Sequence, residues 1–182
     1  MVPQMTLRWL AKPPIREIGQ SEFHRLRAAF RHEIGLWRHQ GDENDPDIKA
    51  WNYRIGSTRF LTHIGLGDLH FGYFFGESLV GLISITLSGD IGTVETLMSH
   101  PGQQGAGSML IEHAVNALPS IRVLKLVSLD ASRGFYERLG FTRAGRALEL
   151  DVTRSDAWRR VNGRWRVAAY INARGYMAPG RL

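Results

Sequence analysis

Apolar residues recur at steps of three and four from Phe23 through Leu26, Phe30 and Ile34 to Trp37. That spacing predicts an amphipathic helix with Ser21 as its N-cap and Gly41 as its stop. Asp45-Pro46 reads as the cap and first position of a second helix, with Ile48, Trp51 and Ile55 turned inward, running toward Gly65-Leu66-Gly67. Past Gly67 the period shortens. Residues 69–75, 79–87 and 93–99 are rich in aliphatic and aromatic side chains and are split by Gly76-Glu77-Ser78 and Ser88-Gly89-Asp90. They predict three antiparallel strands in a meander. A helix over 107–118 follows, with Met109, Leu110, His113, Ala114 and Leu118 along one side and Pro119-Ser120 as its break. Then come a buried strand over 123–127, a short helix over 132–139 stopped by Gly140, and a strand from Phe141 to about Val152. At the other end, residues 7–10 read as a first strand ended by Pro13-Pro14. The sum is a mixed α/β domain with one strand–helix–strand crossover. From about Ser155 onward, Trp158, Trp165, Val167, Tyr170 and Ile171 predict at least partial packing.

Composition narrows the classes. The chain has 182 residues, 43% hydrophobic and 22% charged, which suits a single soluble globular domain over 1–182. No apolar run reaches the length of a membrane span, and the first residues lack a secretory pattern. There are no cysteines, which excludes disulfides, thiolate metal sites and a cysteine nucleophile and agrees with a cytoplasmic location. The net charge of +6 arises wholly in 142–182, where nine arginines face Glu149, Asp151 and Asp156. Such a segment suits an acidic partner, or is simply a solvated surface. It carries no known nucleic-acid motif, so nucleic acid ranks last among partners.

Two short constellations carry candidate chemistry. In the first, a strand leads through Gly102, Gln103, Gln104 and Gly105-Ala106-Gly107-Ser108 into a helix. A helix start exposes unpaired N–H groups at a positive dipole end, and glycines let a phosphate come close. A ligand-free structural turn would look the same. The second is Phe135-Tyr136-Glu137-Arg138-Leu139-Gly140-Phe141, which also fits a core aromatic pair with a glycine cap. No histidine and carboxylate set has metal-ligand spacing, so no metal is expected.

Together and in this order the two segments resemble the GNAT superfamily of acyl-CoA-dependent N-acyltransferases. Glu95-Thr96-Leu97-Met98-Ser99-His100-Pro101 followed by Gly105-Ala106-Gly107-Ser108-Met109-Leu110 resembles its cofactor motif. Phe135-Tyr136 with Gly140-Phe141 resembles its Phe-Tyr-x-x-x-Gly-Phe motif. The likeness covers about residues 69–146. The loop before Gly105 is shorter than the family pattern, and Gly102 stands where that pattern has a basic residue or glutamine, a role Gln103 is placed to fill. The resemblance implies a mostly antiparallel sheet with a splayed parallel strand pair and helices on both faces. It implies acetyl-CoA as acyl donor, its pantetheine arm along Leu97, Met98 and Ser99 and its pyrophosphate on the N–H groups of residues 102–108. Tyr136 becomes the leaving-group acid and Glu95 the base for a primary amine, with His100, His70 and His113 as alternative bases. The acidic run Asp42, Glu43, Asp45, Asp47 would attract a cationic amine or merely open a helix. Trp51, Tyr53, Tyr73 and Phe74 would line an acceptor cleft or the core. A domain that binds without catalysing remains the second reading. The acceptor, the acyl length and the choice between monomer and homodimer stay open.

Overall fold

A computed structural model of the chain describes residues 14–36, 38, 40–42, 44–61, 67–100, 105–129 and 132–169. The centre of the molecule is β3 (Ser78–Ser88), whose residues from Leu79 to Ile85 are all buried. A strand covered on both faces reads as a continuous apolar run rather than an alternating one. It pairs antiparallel with β2 (Leu69–Phe75) on one side and β4 (Ile91–Ser99) on the other. The predicted meander is therefore present, its ends moved by one or two residues.

Past β4 the sheet changes direction. β5 (Val123–Leu126) runs parallel to β4, and β7 (Ala147–Leu150) and β6 (Thr142–Ala144) complete that side. On the far edge β1 (Ile15–Glu17) pairs antiparallel with β2. The seven strands lie in the order β1-β2-β3-β4-β5-β7-β6. The fold is thus a mixed α/β layer structure in which, among the described residues, one strand pair, β4–β5, is parallel. Helices α1 (Gln20–Leu36) and α2 (Pro46–Leu61) cover one face, where Phe23, Phe30, Ile34 and Ile55 pack with Phe74, Leu82 and Met98. Helices α3 (Ala106–Ala117) and α4 (Arg133–Arg138) cover the other, where Leu110, Ile111 and Tyr136 pack with Ile83, Val94 and Leu126. Among the described residues no helix is long and apolar enough to cross a membrane.

Several expectations need correction. A strand not expected from the sequence, β1, begins directly after Pro14 and buries Ile15. The strand expected over 7–10 lies outside the described residues, as do Trp37, Tyr170 and Ile171. Ser21 sits inside the first turn of α1, and the carbonyl of Gly19 accepts the Phe23 N–H at 2.8 Å. The single strand expected from Phe141 is a hairpin, because Gly145-Arg146 reverses the chain between the paired Ala144 and Ala147. Asp45 does cap α2: its Oδ1 accepts the Asp47 N–H at 2.9 Å.

The region after Ser155 forms a second hairpin, β8 (Trp158–Val161) and β9 (Arg164–Val167). Its turn, Asn162-Gly163, has φ of 50 and 78°, as a type I′ turn requires. The hairpin lies along α3. Asn116 Nδ2 donates to the Trp165 carbonyl at 2.9 Å and its Oδ1 accepts the Trp165 N–H at 2.8 Å. One helical turn earlier, Glu112 pairs with Arg166 and accepts the Val167 N–H at 3.2 Å. Two side chains of α3 thereby do for β9 what a neighbouring strand would, and the open edge is closed. At the other end Trp158 Nε1 donates to the Leu139 carbonyl at 2.6 Å.

Candidate functional site

The β4–β5 ladder is short. Ile91 to Val94 pair with Val123 to Leu126, and there the two strands part. β4 continues to Ser99, paired with β3 on its other side. The parting coincides with an irregularity in β4. Ser84 of β3 faces Thr96 while Ile85 faces Val94, so Glu95 is an extra residue. A bulge of this kind bends its strand and redirects the side chains around it. Val94 and Leu97 consequently both face the α3 side, and Met98 packs under α1 and α2.

The gap so opened is a crevice lined by Glu95 and Leu97 from β4, Val127, Ser128 and Leu129 beyond β5, and Tyr136 from α4. The two residues expected to carry chemistry, Glu95 and Tyr136, are brought together in it. Tyr136 is largely buried, with Phe135 and Phe141 edge-on at 4.9 and 5.5 Å between ring centres. That burial pushes its phenol up to about 12, because an apolar setting penalises the charged form. Tyr136 is therefore a neutral hydrogen-bond donor across the physiological range. Glu95 is half-buried. Of the far wall, Val127 and Ser128 belong to the strand 123–128 that the family resemblance sets beside the cleft, whereas Leu129 and Ser132 are not indicated by the sequence. The signal available for Leu129 and Ser132 is their position just past the end of that strand.

Beside the crevice, α3 begins at Gly105, whose φ of 85 and ψ of −4° are left-handed and whose N-cap position carries no side-chain cap. A glycine adopts that conformation without steric cost. Its neighbour Gly107 answers a different demand. A Cβ there would meet Phe135 Cζ at 3.1 Å and Leu97 Cδ2 at 3.8 Å, so a side chain at this position would press on the Phe135 ring. Ala106, Gly107 and Ser108 are buried. Gly102, Gln103 and Gln104 lie outside the described residues, as does Glu43. Leu97 lines the crevice, whereas Met98 is 1% exposed on the opposite face. Met98 and Ser99 remain paired through their backbones with Leu82 and Gly81.

The histidines considered as bases serve packing. His70 stacks on Phe23 at 4.3 Å, and its Nδ1 lies 3.1 Å from Ser84 Oγ. Burial first and His24 second lower its pKa. His113 meets the edge of Phe71 at 4.9 Å and is lowered by burial and then by Arg164. His100 faces Phe30 and sits 4.0 Å from Glu33 Oε1 beneath α1. Of the acidic run, two members are engaged locally: Asp42 Oδ1 accepts from both Asn44 nitrogens at 2.9 Å, and Asp45 Oδ1 accepts the Asp47 N–H. Of the aromatic set, Phe74 is buried beneath the Arg16 guanidinium at 3.7 Å and Tyr53 is exposed.

Gly140 ties the second motif to the hairpin. Its φ is +83°, and a Cβ there would lie 2.1 Å from Ser155 Oγ and 2.9 Å from Ala157 Cβ. Gly140→Ala is expected to cost about 2–3 kcal/mol of stability, from left-handed strain plus overpacking. Chemical denaturation of the two proteins measures it.

The family model described as the acetyltransferase (GNAT) family matches residues 23–141. Among solved structures the chain is similar to the PaiA N-acetyltransferase of Thermoplasma acidophilum in complex with coenzyme A, at 17% identity over 75% of this chain and 97% of that one, TM-score 0.48. It is similar to a GNAT family acetyltransferase of Brucella melitensis in complex with acetyl-CoA, at 16% identity over 86% and 96% of the two chains, TM-score 0.48. It is also similar to the ribosomal-protein-S18-alanine N-acetyltransferase of Escherichia coli, at 21% identity over 74% and 89%, TM-score 0.46. No curated protein matches the chain.

Proposed function

The chain belongs to the acetyltransferase (GNAT) family, and from that premise we propose that it moves an acetyl group from acetyl-CoA directly to a primary amine of a small molecule or protein. The observation that carries this reading is the meeting of Glu95 and Tyr136 in one crevice where two parallel strands part.

Each requirement of the reaction has a candidate. The pantetheine arm carries amides, and the β5-facing edge of β4 past Val94 suits them as a strand edge suits an added peptide. The pyrophosphate would rest on N–H groups of Gly105 to Ser108, at the positive end of α3. The amine must arrive unprotonated, and Glu95 removes its proton, directly or through a water. The amine nitrogen then attacks the thioester carbon, and the charge that gathers on the carbonyl oxygen is met by a backbone N–H near Leu97 or Met98. Collapse breaks the carbon–sulfur bond, the leaving thiolate takes the Tyr136 proton, and the second proton, shed by the new amide nitrogen, returns the phenolate to its neutral form through water.

Incubation with acetyl-CoA and a panel of primary amines and peptides tests this, with released thiol and acceptor mass followed together. Thiol release coupled to an N-acetylated product is expected. Binding of acetyl-CoA with no amine acetylated would leave the non-catalytic binding module. Once a substrate is in hand, Glu95→Gln is expected to lower kcat/KM roughly 10²-fold at neutral pH. The deficit should shrink as pH rises, because an already neutral amine needs no base. A pH–rate profile of both proteins measures this.

A further inference from the structure

α3 ends at Ala117, and Pro119-Ser120 turn the chain toward β5. The β8–β9 hairpin is fastened to α3 at Glu112 and Asn116, but its Asn162-Gly163 tip reaches the end of the helix. Under it lies a cavity of about 430 Å³, within the range of small-molecule sites. It shares no lining residue with the crevice. The crevice opens beyond Val94 and Leu126, whereas the cavity takes in Ile121 and Arg122 ahead of β5. Leu118, Leu124, Leu150 and Val152 give its lining aliphatic surface, and Asn116, Ser120 and Thr153 add polar groups. Trp165 forms a wall, and Arg122 and Arg160 stand among the lining residues.

The placement of Arg160 needs a reason. In the hairpin register Trp158 faces Val167 and Arg160 faces Trp165, so the four share one face of the ribbon. Trp158 and Val167 are buried on that face. A hairpin that served only to cover α3 would continue the face with an apolar residue. Arg160 instead donates from Nε to its own turn, at the Gly163 carbonyl, at 3.3 Å, and its two Nη groups are not used by that bond. Arg122 is steadied by Asp90, whose Oδ2 accepts from Nε at 2.8 Å. Asp90 and, more weakly, Asp151 act on the charge of Arg122, so Arg122 contributes oriented donors and Arg160 adds a second guanidinium.

We propose that this cavity binds a small amphipathic carboxylate. Its aliphatic or aromatic body lies against Leu150, Val152 and Trp165, and its carboxylate meets the guanidinium groups of Arg160 and Arg122. A lining that combines aliphatic surface with planar donors is complementary to such a molecule rather than to a bare anion or a neutral oil.

Octanoate and octanol serve as probes, titrated into the ¹⁵N-labelled full chain and followed by amide and indole shifts. Octanoate is expected to move the Trp165 indole and the Gly163 amide saturably while Ser128 stays still. Octanol should bind at least about tenfold more weakly, because it lacks the charge-assisted bond. Arg160→Gln should bring the two affinities together. Arg159→Gln, on the other face of the same strand, should leave the difference intact. The proposal is overturned by equal affinity for the two probes, by shifts centred on the crevice, or by no saturable shift up to about 10 mM.

Discussion

Tyr136→Phe is expected to lower kcat and kcat/KM together by roughly 10²- to 10³-fold, the loss typical of a proton donor that acts only in the transition state. Thermal stability should barely change, because phenylalanine keeps the edge-on contacts with Phe135 and Phe141. Parallel kinetics and melting curves separate the two quantities, and a variant with full activity would reduce Tyr136 to a packing residue. The same substitution has a signature at high pH. Burial raises the Tyr136 phenol to about 12, so folding favours its neutral form. The stability it brings is complete below the ordinary tyrosine value near 10 and is lost as pH climbs from there through about 12. Tyr136→Phe removes that loss.

Glu112→Ala is expected to cost about 3–5 kcal/mol, the effect of breaking a largely buried ion pair from one side. Arg166 loses its carboxylate and the Val167 N–H loses its acceptor. The hairpin then keeps only Asn116 and the Trp158 indole bond as polar attachments to the helical layer among the bonds described above. Urea unfolding reads the loss, and hydrogen exchange should show β8 and β9 opening before the central sheet. A variant as stable as the parent, with β9 still protected, would show that hydrophobic packing of Trp158 and Val167 alone holds the hairpin.

Elements whose burial is one-sided or complete over many residues were readable from the chain. β2, β3 and β4 advertise themselves through length and aliphatic density, and α1 through the spacing of Phe23, Phe30 and Ile34. β1 was not readable, since three residues hold no period and the prolines before it look like a stop. The turn at Gly145-Arg146 is hidden in the sequence because apolar residues continue on both sides of it. Asn162-Gly163 is the strongest short hairpin signal in the sequence, and the arginines around it masked the alternation of Trp158, Arg160, Trp165 and Val167.

The candidate site was legible in part, and for a physical reason. Tyr136 and Gly140 sit in a motif whose spacing a short helix and its left-handed exit impose. The bulge at Glu95 leaves no mark on composition, yet it decides which side chains face the crevice. Gly105 and Gly107 read alike in the sequence. One answers to backbone conformation, and the other to the approach of Phe135.

The claim on which the rest depends is that acetyl-CoA lies along β4 where it leaves β5, with its phosphates at the start of α3. Amide hydrogen exchange of the full chain with and without about 1 mM acetyl-CoA tests it directly. The account predicts added protection at Leu97 to Ser99 and at Ala106 to Ser108, with the β8–β9 hairpin unchanged. No protection at that concentration, or protection confined to the hairpin and the end of α3, would contradict it.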